Sequence, residues 1–258
     1  MKSIGVTLWT EGLKVRKSIV LWLTMVFFVF VAFMMGLITF VQMHPEIAEK
    51  LGLIGTKANL LKFGEPNWQN YFILIKQGIS GVGLIGFGFI TCWVFGREYS
   101  DKTIKDLLAL PVSRSSVVLS KLIIVFVWSI LLSCIFFAFS LLFGYMSGVQ
   151  GWTKEIFSSF ASIFSQICLL SILLSTPIAF LASYSRGFLL PIGFMILTMM
   201  MANFTGLVGL GPYFPWAIPG MLSVPGGHLE VASYSILIGT CILGLGGTLA
   251  WWQFADQK

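Results

Sequence analysis

Charged residues are scarce in this chain, yet seven of them crowd into one stretch, Gly96 to Arg114: Arg97, Glu98, Asp101, Lys102, Lys105, Asp106 and Arg114. Glu98 and Asp101 stand four residues before Lys102 and Lys105, the spacing at which acid and base meet on one helix face. Thr103 falls between them, and Ile104, Leu107 and Leu108 add an apolar strip. Pro111 ends such a helix, and Ser113-Arg114-Ser115 opens the next. Side chains of this kind bind rather than catalyse: the pattern reads as a short amphipathic helix that docks a soluble partner. The plainer alternative is a solvated charged loop that only fixes topology.

Catalysis has one foothold. Gly78-Ile79-Ser80-Gly81 matches the G-x-S-G of intramembrane serine proteases, which need a base within hydrogen-bond reach of the serine. The two histidines, His44 and His228, stand instead beside Pro45 and Gly227 in loops. No G-x-x-x-x-G-K-[ST] phosphate loop occurs, so the chain is not expected to cradle a nucleotide itself. Cys92, Cys134, Cys168 and Cys241 lie in apolar runs without metal-like spacing and read as packing residues. Paired carboxylates inside the apolar runs are absent, which argues against an ion-coupled carrier. Asn203 and Gln166, the strongest polar groups there, suit bonds between helices.

The elements that hold these residues are greasy. Of 258 residues, 57% are hydrophobic and 10% charged, where a soluble domain carries about 25% charged, and the mean hydropathy is +0.92. A membrane span needs about 20 apolar residues. Six runs qualify, roughly 19–42, 72–95, 118–143, 157–182, 188–204 and 232–254, so the expected fold is an all-α polytopic membrane protein forming one transmembrane domain over 1–258. With both termini in the cytoplasm, eleven of the sixteen lysines and arginines fall on the inner side and five on the outer, as orientation by positive charge requires. The basic balance therefore reflects topology and lipid contact, not nucleic acid. Trp22, Trp93, Trp251 and Trp252 fall near inner boundaries and Trp68, Trp152 and Trp216 near outer ones, as interfacial anchors would; Trp128 lies deeper and reads as packing.

Residues 1–18 fit an interfacial helix retained in the mature chain. Ile4, Leu8, Trp9, Leu13 and Val15 form the side turned to lipid, Arg16 interrupts it, and Thr7, Thr10, Glu11, Lys14 and Lys17 face headgroups. Glycines at 78, 81, 83, 86 and 88 mark the second run for close helix packing. Lys76, near its outer end, reads as snorkelling to the interface in preference to lining a substrate path. Pro177 should kink the fourth run. The connection 205–231 is too apolar for a solvated loop and too broken for a span. A re-entrant element fits, since irregular backbone at membrane depth must be buried in protein or line a cavity.

Together these residues resemble the permease subunits of type-2 ATP-binding-cassette exporters, especially those linked to bacitracin and lantibiotic self-protection. The likeness rests on Glu98, Lys102-Thr103-Ile104-Lys105, Leu107-Leu108, Leu110-Pro111-Val112-Ser113-Arg114 and Ser120-Lys121-Leu122. It extends to Tyr213-Phe214-Pro215-Trp216-Ala217-Ile218-Pro219 and to Trp251-Trp252 through Asp256. The resemblance implies two six-span permeases, identical or homologous, facing each other above two ATPase chains that bind ATP and magnesium. It implies that Glu98 to Leu110, within a cytoplasmic region 96–116, is a coupling helix seated in the ATPase. Lys2–Lys17, with Trp9, Lys14, Arg16 and Lys17, would assist it. Tyr213, Phe214, Pro215, Trp216 and Pro219 would close an outer gate. The expected cargo is a peptide or another amphipathic antibiotic, and the expected location is the plasma membrane.

Overall fold

The computed structural model describes residues 2–50, 64–104 and 111–255. Among them the secondary structure is helical apart from one isolated bridge between Asn67 and Gln150. The order is α1 (Lys2–Arg16), α2 (Ile19–Met43), α3 (Pro45–Lys50), α4 (Trp68–Ser100), α5 (Arg114–Met146), α6 (Lys154–Leu173), α7 (Thr176–Tyr184) and α8 (Leu189–Leu207). Two 3-10 turns (Gly211–Tyr213 and Pro215–Ala217), α9 (Ile218–Met221) and α10 (Val231–Phe254) complete it. Among the described residues six helical segments are long and apolar enough to cross a membrane: α2, α4, α5, α6 continued by α7, α8 and α10.

Local chemistry sets most of the starts. Ser18, Asn67, Ser113 and Thr153 each sit in extended backbone before a helix and accept a hydrogen bond from an amide of its first turn, satisfying donors that the helix cannot. At 33 residues each, α4 and α5 are about 50 Å long, against a hydrocarbon core of about 30 Å. Both therefore project beyond the apolar layer.

Contacts sort the helix ends into two groups. At one end, here the basic end, α1 lies across the start of α5 and the finish of α4. Trp252 Nε1 near the finish of α10 donates to Ser183 Oγ of α7 at 2.9 Å, and Cys92 of α4 points its thiol at the Phe188 carbonyl before α8. At the far end Tyr71 donates to the Ser140 carbonyl at 2.7 Å, Ser147 to the Gly36 carbonyl at 3.1 Å, and Trp68 packs edge-on against Trp152. Stacked and edge-on rings of Phe28, Phe87, Phe136 and Phe164 fill the space between. Trp252 is wholly buried and Trp68 nearly so, so these two pack the bundle instead of anchoring in lipid; Trp9 and Trp22 remain exposed.

The fourth span breaks where Pro177 lacks an amide hydrogen, α6 ending at Leu173 and α7 opening at Thr176. Thr176 Oγ1 donates to the Leu173 carbonyl at 2.8 Å and lies 3.3 Å from the Cys241 carbonyl of α10. Gly244, one turn on, admits the broken backbone: a Cβ there would lie 2.5 Å from Pro177 N and 2.8 Å from Thr176 C.

Candidate functional site

At the basic end three helices bring buried charges together. Lys121 of α5 is 0% exposed, and Glu11 of α1 and Glu98 of α4 are each 3% exposed. Lys121 Nζ donates to Glu11 Oε2 and Glu98 Oε1, both at 3.2 Å, and to the Val94 carbonyl at 3.0 Å. Lys14 Nζ spans the same acids, 2.8 Å from Glu11 Oε1 and 2.8 Å from Glu98 Oε1. Arg97, stacked 4.6 Å over the Trp93 ring, reaches Glu98 Oε1 at 3.5 Å. A hydroxyl pair, Thr7 with Ser120 at 2.6 Å, extends the α1–α5 seam. Burial works to lower the Lys14 pKa, and the bonds and charges of Glu11 and Glu98 outweigh it, leaving it above the ordinary value. Each ion thus has several partners, the condition under which a buried charge network is tolerated.

The cluster also fixes the chain that leaves α4. After Asp101, Lys102 adopts a left-handed backbone, φ 57°. Its amide bonds to the Tyr99 carbonyl at 3.2 Å, and the Thr103 amide bonds to the Glu98 carbonyl at 3.0 Å, the paired closure of a Schellman turn. Thr103 Oγ1 then donates to Glu98 Oε2 at 2.7 Å. Glu98 therefore holds the exit of its own helix while facing α1 and α5.

Two expectations change here. No helix continues from Glu98 through Lys102: α4 stops at Ser100, and Glu98 pairs with Lys14, Lys121 and Arg97 because the turn carries Lys102 out to solvent. Nor does α1 keep its polar side for headgroups. Thr7, Glu11 and Val15, spaced four apart, are the residues it buries, while Trp9, Leu13, Arg16 and Lys17 stay exposed. Asp101, Lys102, Thr103, Pro111 and Arg114 are exposed, Ile104 is buried, and Lys105, Leu107 and Leu108 lie outside the described residues. Arg114 turns toward the last helix, its guanidinium 3.2 Å from the Trp252 carbonyl.

Away from this cluster, the proline-rich segment dips between helices. Trp216 meets Phe194 of α8 edge-on at 5.2 Å and helps line a small gap with Leu84, Ile178 and Met195. Ala217, Ile218 and Pro219 are buried, Phe214 and Pro215 are half-buried, and Tyr213 is exposed. Between α2, α4 and α8 runs a groove of about 590 Å³ whose walls include Phe27, Phe28, Phe89, Met195 and Met199. The serine of the protease-like motif is engaged locally, Ser80 Oγ donating to the Gln77 carbonyl at 2.8 Å. His44 closes α2 with its ring tilted against Phe40, and His228 sits in the exposed turn after Gly226; neither ring is bonded to Ser80.

Sequence reasoning missed Glu11 and Lys121 as partners of Glu98. The available signals were a lone acid in the first 45 residues and a lysine inside the run Val117–Ile124, both of which demand a counter-charge if buried.

A family model described as ABC-2 family transporter protein matches residues 7–203. The bacitracin transport permease protein BCRB of Bacillus licheniformis is 28% identical over 178 residues, which cover 68% of this chain and 86% of that protein. No solved structure matches the chain.

Proposed function

This chain belongs to the ABC-2 transporter family, and from that premise we propose that it is the membrane subunit of an exporter that expels peptide or other amphipathic antibiotics. The family implies an ABC ATPase as partner. ATP and magnesium would be held by two such subunits beneath a pair of permeases, and this chain would contribute no hydrolytic group. The basic end would face the cytoplasm, since the excess of lysine and arginine lies there.

One observation carries the coupling step: Glu98, through Lys14, Lys121 and Thr103, ties the start of the segment after α4 to α1 and α5. Closure of the ATPases on nucleotide would push that segment, with the exposed Asp101 and Lys102 at its start. The ion pairs would pass the displacement to three helices at once. The apolar groove beside α2 and α8 would shelter a greasy cargo, and the element around Trp216 would close the outer exit. Bacitracin is the probe suggested by the name of the Bacillus licheniformis relative. The test is uptake of bacitracin into inverted vesicles holding this chain and its ATPase. ATP-dependent uptake, lost in Glu98→Gln while the complex stays assembled, is expected; uptake that persists without any ATPase would refute it.

A further inference from the structure

The groove between α2, α4 and α8 holds about 590 Å³, and Thr24 is the one polar side chain on its walls. Thr24 is already bonded within α2, donating to the Val20 and Leu21 carbonyls at 2.9 Å. A peptide backbone laid there would strand its own amides and carbonyls, whereas a hydrocarbon chain would strand nothing. Met195, Met199 and Met200 line one wall, and their unbranched side chains adapt to a chain of no fixed shape. Leu23, Ile196 and Met200 on the rim are more than half exposed, so the groove opens sideways, where lipid lies.

Depth and mouth narrow the occupant further. On α2 the lining runs from Val20 to Phe28 and on α8 from Ile192 to Met200, about 12 Å of each helix. Both stretches begin within a turn of the basic end, where α2 starts at Ile19 and α8 at Leu189. The groove therefore covers most of one leaflet, half of a hydrocarbon core of about 30 Å, and exposed Trp22 marks the level of the interface. Arg16 and Lys17 stand four and three residues before Val20, both exposed. Neither side chain has a hydrogen bond or ion pair among the described residues. Two cations thus sit at headgroup level beside a slot one acyl chain long.

We propose that this groove and its mouth form a site for an anionic phospholipid of the cytoplasmic leaflet, the phosphate held by Arg16 and Lys17 and one acyl chain lying along Phe27, Phe89 and Met199. The site shares its groove with the cargo shelter proposed above and rests on that reading for its leaflet. The lipid chain fills the space at rest and leaves when cargo enters.

The experiment places the purified full-length protein in phosphatidylcholine nanodiscs with traces of phosphatidylglycerol bearing a diazirine midway along one acyl chain. Adducts are then mapped by mass spectrometry. They should gather on Phe27, Phe89 and the α8 methionines, at least about fivefold above those from a phosphatidylcholine of identical chains, the preference that one basic residue at headgroup level confers. Arg16→Gln with Lys17→Gln should erase that preference, and Arg16→Lys should keep it. Ile196→Trp, which fills the rim, should lower labelling by both lipids. These changes are at exposed positions and should leave melting unchanged. Equal labelling by the two lipids, a preference that survives the double Gln variant, or labelling indifferent to Ile196→Trp overturns the proposal. So would disulfide-linked dimers of Ile196→Cys formed at the expense of lipid adducts, because a second copy would then cover the groove. Bacitracin uptake lost with lipid labelling intact would refute the cargo reading alone; labelling lost with uptake intact would refute the lipid site alone.

Discussion

Replacing Lys121 by methionine keeps the length of the side chain and removes the ammonium shared by Glu11, Glu98 and the Val94 carbonyl at 3.0–3.2 Å. At 0% exposure, no water can take its place. Removing one partner of a buried ion pair costs ~3–5 kcal/mol. Lys14 stays 2.8 Å from an oxygen of each carboxylate, which puts the expected loss near ~3 kcal/mol, about a hundredfold in the folding equilibrium. The assay is reversible unfolding of the purified protein in mixed micelles. Adding Glu11→Gln to Lys121→Met leaves Glu98 paired with Lys14 and Arg97, removes the acid that lost its partner, and should recover part of the loss. A single variant within ~0.5 kcal/mol of the parent, the range of ordinary surface changes, would refute the argument that the cluster is buried and mutually paired. A double variant no more stable than the single one would do the same.

Other outcomes follow from particular geometry. Lys102→Gly should stabilise by ~1 kcal/mol, because a left-handed backbone strains a residue with a Cβ; Lys102→Val should do the reverse, and equal melting of the two would deny the turn. Gly244→Ala should lower stability or abolish assembly, since its methyl would meet the Thr176–Pro177 backbone, while Gly246→Ala, with open space around it, should be neutral. Trp216→Ala should cost ~2–3 kcal/mol from the cavity it opens and should expose a cysteine placed at buried Thr198 to a water-soluble thiol reagent; continued protection would count against a gate. The raised Lys14 pKa means that its contribution is whole below the ordinary 10.5 and is lost as the pH climbs through the higher folded value. Melting temperature should therefore fall in strongly alkaline buffer, and by less in Lys14→Met.

The spans were legible because a run of about 20 apolar residues has few alternatives to a membrane helix, and Ser113 was readable as a helix start. Helix α4 ran further than its apolar run because Asn67 and the Schellman turn, not hydropathy, set its limits. That turn was hidden. Its left-handed position holds Lys102 where glycine or asparagine would have announced it, so the Glu98/Lys102 spacing suggested a continuing helix. The facing of α1 was hidden for a related reason. Thr7 and Glu11 look like a solvent face until Ser120 and Lys121 of α5, more than a hundred residues away, provide their partners.

The central claim is that the exposed chain after α4 receives force from a separate ATPase and delivers it to the buried cluster. The most direct measurement places a photo-reactive amino acid at Asp101 or Lys102 in cells that also express the ATPase. Adducts to the ATPase that change on nucleotide binding and leave Glu98→Gln complexes assembled but uncoupled are predicted. Labelling of the same positions by a membrane-impermeant reagent applied outside the cell, with no ATPase adduct, would contradict it.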